Sequence, residues 1–311
     1  MEQQDQRRSG HLLIIGGAED REGDMPILRR FIELAGRDER PILVLTAATE
    51  DPEKMWEVYR KGFAELDAGR VEHLPIRHRD EANDPGVSRR VFEARGVFVT
   101  GGDQARLLTL TGGTQLCEHM RRAYIENGTC IAGTSAGASA MSEHMLSSAD
   151  SHTSPIATDV RLTAGLGFLL NGVVDQHFSE RGRLGRLLAV VAHNPKLVGV
   201  GIDENTALVV SRGKGIEVIG QGAVTLVDGR ELRSRVVERD DGDVFQVTDV
   251  RVHLLPAMAG FVQAQDEPDE ELSDSLQALL RLLSGREAVD RQFREGGPPA
   301  EPTVQRADRT H

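Results

Sequence analysis

Long apolar runs, a basic surplus, cysteines and aromatic residues are all scarce in this chain. No stretch of 18 consecutive apolar residues occurs, so no membrane-spanning helix is expected. Acidic side chains outnumber basic ones, 49 Asp and Glu against 37 Lys and Arg, for a formal charge of -12. Nucleic-acid binding needs a basic face, and this balance argues against it. Residues Met1 to Gly10 hold no apolar signal core, so the expectation is a protein that stays in the cytoplasm. Cys117 and Cys130 suit a reducing compartment and lack metal-ligand spacing. Cys130 lies in an apolar run and reads as a small buried residue. With aromatics at 4% of 311 residues, the core must be mostly Leu, Val, Ile and Ala. At 39% hydrophobic the chain can still bury a large one.

What the chain does have is alternation. Leu12–Ile15, Pro41–Leu45, Val71–Ile76, Gly96–Thr100 and Thr129–Ala132 are short apolar runs that read as strands. Helical patterns lie between them at Met25–Leu34, Glu53–Leu66 and Thr114–Asn127. Strands alternating with helices predict an α/β fold, doubly wound, with a mostly parallel sheet and helices on both faces. The strands lack strict alternation, as expected of a sheet covered on both sides. In the second half, Leu187–Ala192 reads as helix and Leu197–Ile202 as strand. Ala207–Val210, Gly215–Ile219 and Ala223–Val227, separated by glycines, predict antiparallel hairpins. Gln246–Leu255 reads as the last strand.

The organisation that follows is a disordered N-terminus at 1–10, one catalytic domain at 11–264 and an acidic, Pro-containing tail at 265–311. Within the tail Leu272, Leu276, Leu279, Leu280 and Leu283 recur at helical spacing. The tail is expected to be mobile and dispensable for fold and catalysis, unless that stripe packs on the core or across a dimer interface.

One segment carries chemistry. Gly133-Thr134-Ser135-Ala136-Gly137 is a G-x-S-x-G pattern between an apolar strand and a small-residue stretch able to open a helix. That context is a nucleophile elbow, with Ser135 exposed on a sharp turn. Backbone N–H groups of Ala136 and of the Gly101-Gly102 turn, at Gly102, are placed to hold an oxyanion. A serine nucleophile needs a base and an orienting acid. His177 and Glu204 each follow an apolar strand, so three groups at three strand ends can converge. His152 competes as base, His144 lies nearby, His193 reads as a helix C-terminal residue, and Asp203 competes as acid. The order Ser–His–Glu differs from that of the α/β-hydrolases. Arg181, Arg183 and Arg186 follow His177 closely. They read either as a carboxylate receptor or as a charged helix start paired with Glu180.

In these segments the chain resembles the cyanophycinases of serine peptidase family S51. The resemblance rests on Gly16-Gly17-Ala18-Glu19-Asp20, Gly101-Gly102-Asp103-Gln104, the Ser135 elbow, Asp175-Gln176-His177-Phe178 with its three arginines, and Gly201-Ile202-Asp203-Glu204. It implies a class I glutamine-amidotransferase-like fold with serine replacing cysteine. It implies a Ser135, His177, Glu204 triad, with Gln104, Asp175, Gln176, Arg181, Arg183 and Arg186 binding substrate. It also implies exo-hydrolysis of cyanophycin to β-Asp-Arg dipeptides, and no metal or cofactor is expected. The expected assembly is a homodimer, with cyanophycin as partner and neither nucleic acid nor membrane. Two competing functions remain: an aspartyl dipeptidase of the same broad family, and a non-catalytic binding protein for an anionic metabolite.

Overall fold

The computed structural model describes residues 10–147, 160–238, 244–262 and 272–285. The first half is β1 (His11–Ile15), α1 (Pro26–Ala35), β2 (Ile42–Leu45), α2 (Pro52–Glu65), β3 (Val71–Leu74), α3 (Pro85–Glu93) and β4 (Gly96–Val99). It continues through α4 (Gln104–Thr111), α5 (Gln115–Glu126), β5 (Cys130–Thr134) and α6 (Ala136–Ala140). The second half holds β6 (His144–Leu146), β7 (Leu162–Ala164), β8 (Gly172–Gln176), α7 (Leu184–His193), β9 (Val198–Ile202), β10 (Thr206–Ser211) and β11 (Gly215–Gly220). The remaining elements are β12 (Ala223–Asp228), β13 (Arg233–Val237), β14 (Val244–Thr248), β15 (Arg251–Pro256), β16 (Gly260–Val262) and α8 (Asp274–Ser284).

The helices start where side-chain acceptors can satisfy the first free N–H groups. Asp51, Asp84 and Asp103 cap α2, α3 and α4, and Thr114 caps α5. Pro26, Pro52 and Pro85 occupy first helical positions, where a missing N–H costs nothing. Helices α3 and α4 were absent from the strand-and-helix pattern above. Their sequence signals are the caps Asp84-Pro85 and Asp103-Gln104 rather than a clear apolar stripe.

The main sheet has eight strands in the order β16-β11-β10-β1-β5-β4-β2-β3. Strands β1 to β5 pair parallel, and β10, β11 and β16 extend the β1 edge antiparallel. Alternate residues point to opposite faces. Leu13, Ile15, Ile42, Val44 and Phe98 face α1 and α2, packing on Phe31, Tyr59 and Phe63. Leu12, Ile14, Leu43, Leu45, Val97 and Val99 face the opposite way, into the larger core with Leu107, Leu116 and Met120 of α4 and α5. The α/β fold with a mostly parallel sheet and C-terminal hairpins is therefore as expected.

Two features differ from expectation. First, β8 and β9 do not join the main sheet. They form a second, four-stranded sheet in the order β15-β12-β9-β8. Its inner residues Val174, Val198, Val200, Ile202, Val224 and Leu226 share the larger core. On its outer side Val173 and Val227 meet Val190, Leu187 and Val191 of α7. Second, Gln246–Leu255 is not one strand: the chain turns at Asp249, φ 58°, between β14 and β15, and β16 follows.

The leucine stripe forms α8. Leu276, Leu279, Leu280 and Leu283 are buried in the larger core, and Gly213 N donates to Ser284 O at 2.7 Å. This segment thus packs into the same core as the two sheets. The rest of the acidic and Pro-containing stretch, 263–271 and 286–311, lies outside the described residues, as do 1–9.

Candidate active site

Strands β1, β5 and β4 are neighbours and parallel, so their carboxyl ends open side by side. Ser135 sits in the turn between β5 and α6 at φ 51°, ψ −110°. Such a conformation costs a non-glycine residue on the order of 1–3 kcal/mol and persists only where the surroundings enforce it. The enforcement comes from close backbone contact. A Cβ on Gly137 would lie 2.5 Å from Val99 O, and one on Gly133 2.5 Å from Gly137 O. Both glycines of the motif are therefore required by packing as well as by the turn.

The Ser135 hydroxyl lies 3.0 Å from His177 Nε2, and His177 Nδ1 lies 2.5 Å from Glu204 Oε1. With the proton on Nδ1, the imidazole donates to the carboxylate and Nε2 accepts from the serine. The pair comes from the second sheet. Strands β8 and β9 run parallel with Gln176 opposite Ile202, so His177 and Glu204 emerge from adjacent ends. The two sheets are stitched together here: His177 N, after β8, donates to Gly16 O, after β1, at 2.8 Å. A Cβ on Gly17, φ 101°, would stand 2.4 Å from His177 Cε1, so only glycine lets the imidazole reach this position.

The competing residues have other places. Asp203 accepts from Ser179 N at 3.1 Å, Ser179 Oγ at 2.5 Å and Ala223 N at 3.0 Å, so its carboxylate is consumed in holding the turn after His177. His193 ends α7 and packs edge-on against Phe245, and His144 opens β6. His152 lies outside the described residues.

The Gly101-Gly102 turn abuts the serine, with a Cβ on Gly101 falling 3.3 Å from Ser135 Cβ. Ala136 is the first residue of α6, so its N–H has no acceptor within the helix. Gln104 begins α4 beside this turn and donates its side-chain amide to Leu146 O at 3.1 Å.

The arginine segment departs from the reading that pairs it with Glu180. Arg183 and Arg186 pair with Asp175, not with Glu180. Arg183 Nη1 donates to Asp175 Oδ1 at 3.0 Å, and also to Gln176 O. Arg186 reaches both Asp175 oxygens, Nε at 2.6 Å from Oδ2. Asp175 is 1% exposed and fully occupied, so it has no room for a substrate guanidinium. Glu180 instead accepts from Glu204 N at 3.2 Å. Burial pulls the Arg183 pKa down from the usual arginine value, with Asp175 opposing and Arg186 and Arg181 adding to the fall. Arg181 is exposed and has no ion-pair partner among the described residues. Gln176 Oε1 and Arg183 Nε are buried there without a hydrogen-bond partner. Sequence reasoning missed one participant: Glu19, whose buried carboxylate accepts from Thr134 Oγ1 at 2.5 Å, one residue before the serine.

No group of three or more His, Cys, Asp or Glu among the described residues is arranged to hold a metal ion, and no helix there is long and apolar enough to cross a membrane.

The sequence model of Peptidase family S51 matches residues 12–219. A cyanophycinase of Nostoc sp. is 37% identical over 245 residues, covering 78% of this chain and 82% of the relative. A cyanophycinase of Geminocystis herdmanii is 36% identical over 248 residues, covering 78% and 90%. Among solved structures, a peptidase from an acI-B1 Actinobacterium matches with a TM-score of 0.63 at 21% identity, covering 82% of this chain and 98% of that one, which supports the fold.

Proposed function

The chain belongs to peptidase family S51 and is a serine-type peptidase, and from that premise we propose that it degrades cyanophycin by exo-hydrolysis, releasing β-Asp-Arg dipeptides. One observation carries the reading to particular residues: the continuous hydrogen-bonded line from Ser135 through His177 to Glu204, at 3.0 and 2.5 Å. In this mechanism His177 takes the Ser135 proton and Ser135 attacks a backbone aspartyl carbonyl. Glu204 stabilises the imidazolium that forms. Backbone N–H groups of Ala136 and Gly102 hold the oxyanion. His177 then protonates the leaving amine, and water clears the acyl-enzyme.

Cyanophycin presents carboxylates and guanidinium groups. Exposed Arg181 suits a substrate carboxylate, and Arg183 and Arg186, aimed by Asp175, complete a cationic wall. Gln176, the last residue of β8 and directly before His177, stands at the same strand end. Gln104 borders the same crevice. The enzyme is taken to act in the cytoplasm as a homodimer.

The test is incubation with purified cyanophycin and mass analysis of the products. β-Asp-Arg is expected from the wild type. Ser135→Ala and His177→Ala remove nearly all turnover, since members of a triad act as a unit, and Glu204→Gln lowers it less. Cleavage of Asp-X dipeptides but not of the polymer establishes the dipeptidase instead. A Ser135 that no serine-directed phosphonate labels establishes the binding protein.

A further inference from the structure

The loop after β1, residues 16–20, touches all three segments of the proposed triad, although none of its own side chains meets the reacting atoms. Ile15 O, just before it, accepts from Ser135 N at 3.1 Å. Gly16 O accepts from His177 N, and Gly17 O accepts from Asn205 N at 2.8 Å, next to Glu204. Asp20 N donates to Asn205 Oδ1 at 2.9 Å. The Asp20 carboxylate folds the following turn by accepting from Gly23 N at 2.8 Å and Met25 N at 2.9 Å. Between these anchors, Glu19 points inward and is 3% exposed.

Both Glu19 oxygens are occupied. Oε2 accepts from Thr134 Oγ1 at 2.5 Å, and Oε1 accepts from the Tyr59 hydroxyl of α2. Tyr59 is 1% exposed, and burial together with the Glu19 charge pushes its phenol well above the ordinary value, so it remains a donor. Arg21 lies over the Tyr59 ring, its guanidinium carbon 5.7 Å from the centroid. A carboxylate accepts at both oxygens and donates at neither, which matches two hydroxyl donors arriving from opposite sides. Burying such a group is expensive, and it stabilises the fold no better than well-packed apolar residues would. A geometric role accounts for it. The residue it grips is the last of β5, directly before a serine held in a strained conformation.

We propose that Glu19 is a positioning residue for the nucleophile: it fixes Thr134, and through Thr134 the aim of the Ser135 hydroxyl at His177. The inference rests on the assignment of Ser135 as nucleophile. It goes beyond that assignment by giving a buried acid, distant in sequence, control over the turn. Glu19 acts through the backbone of Thr134 and not on substrate. Its loss therefore appears in kcat and leaves KM nearly unchanged.

The experiment compares Thr134→Val, Thr134→Ser and Glu19→Ala on cyanophycin, with Ser135→Ala alongside. Thr134→Val is nearly isosteric and removes only the hydroxyl. It is expected to lower kcat roughly tenfold to a hundredfold, the scale of an ångström-sized misplacement. KM stays within about twofold, and the rate of Ser135 phosphonylation falls in parallel. Thr134→Ser restores kcat. Combining Thr134→Val with Glu19→Ala costs no more kcat than the worse single change, since both break the Glu19–Thr134 contact. A folded Thr134→Val enzyme with wild-type kcat overturns the proposal, as does one whose only change is a lower melting temperature. Should Glu19→Ala fail to fold, the Thr134 pair still decides. A Ser135→Ala enzyme that turns over would instead defeat the nucleophile assignment, so the two failures are distinguishable.

Discussion

His11 opens β1, at the opposite end of the strand from the Ser135 crevice. Its Nδ1 is 2.9 Å from Ser211 Oγ, and Lys214 and Arg30 stand close enough to oppose a positive charge. Burial first, then these two cations, lowers its pKa from 6.5 to about 4. The folded state therefore prefers neutral His11. As pH falls below about 6.5 the unfolded chain takes up the proton first, so stability declines between that pH and about 4 and is unaffected above it. Because the ring is partly solvated, the effect is on the order of 1–3 kcal/mol. Melting curves of wild type and His11→Gln at pH 7 and pH 4.5 should show a shallower acid decline in the variant. Parallel declines would assign acid sensitivity to the hydrogen-bonded carboxylates alone. Individual residues also mark the limit of what the sequence conveys. Ser135, His177 and Glu204 were legible because each follows a strand and strand ends converge. The choice between Asp203 and Glu204 was not, because it depends on how the β9–β10 connection turns. Glu19 lies in a segment that carries the family resemblance, but its contact with Thr134 was not legible because the two are 115 residues apart.

The inner strands β1, β2, β4 and β5 were readable as elements because both faces are buried and each is a compact run of apolar or small residues. Apolar runs do not state which sheet they join, so the departure of β8 and β9 into a second layer could not be read from them. That departure places His177 and Glu204, the proposed base and acid, on one support and Ser135, the proposed nucleophile, on another. The segment between β8 and α7 shows a second limit. Three arginines near His177 look equivalent in sequence, yet Asp175 engages only Arg183 and Arg186. Their roles should therefore separate. Arg181→Ala is expected to raise KM roughly tenfold or more, the loss of one charge-assisted contact, at an unchanged melting temperature. Asp175→Ala leaves two cations uncompensated, one of them 9% exposed, and should cost about 3–5 kcal/mol of stability. Kinetics and thermal unfolding on the same variants check both. Equal KM effects with unchanged melting temperatures would mean that Asp175 is not the strut of the pair.

The whole molecule is a stack. Helices α1 and α2 cover one face of the main sheet, and the larger core fills the other. Beyond that core stands the second sheet, itself covered by α7. Helix α8 closes this core beside β10 and β11, on the face opposite the one that packs against α1. Leu279 is fully buried, and Leu280, Leu283 and Leu276 are 2%, 6% and 7% exposed. Burying side chains of this size contributes roughly 1.5–3 kcal/mol each, an upper estimate. A stripe recognised at helical spacing within the acidic tail is thus a structural element. Its amphipathic pattern was legible, and the choice between the core and a dimer interface as its docking partner was not. Of the two outcomes left open for truncation, the structure realises the one in which the stripe packs on the core. Leu279→Ala should cost about 2–5 kcal/mol, lowering the melting temperature by roughly 5–15 °C. Deleting residues 265–311 should cost more and expose the apolar face of β10 and β11 to aggregation. The crevice lies at the carboxyl ends of β4, β5 and β1, away from this face, so soluble Leu279→Ala enzyme should keep its kcat below its melting temperature. A deletion variant that melts with the wild type would show that α8 adds nothing to the core. A Leu279→Ala enzyme that folds fully but loses kcat would show that α8 acts on the site itself.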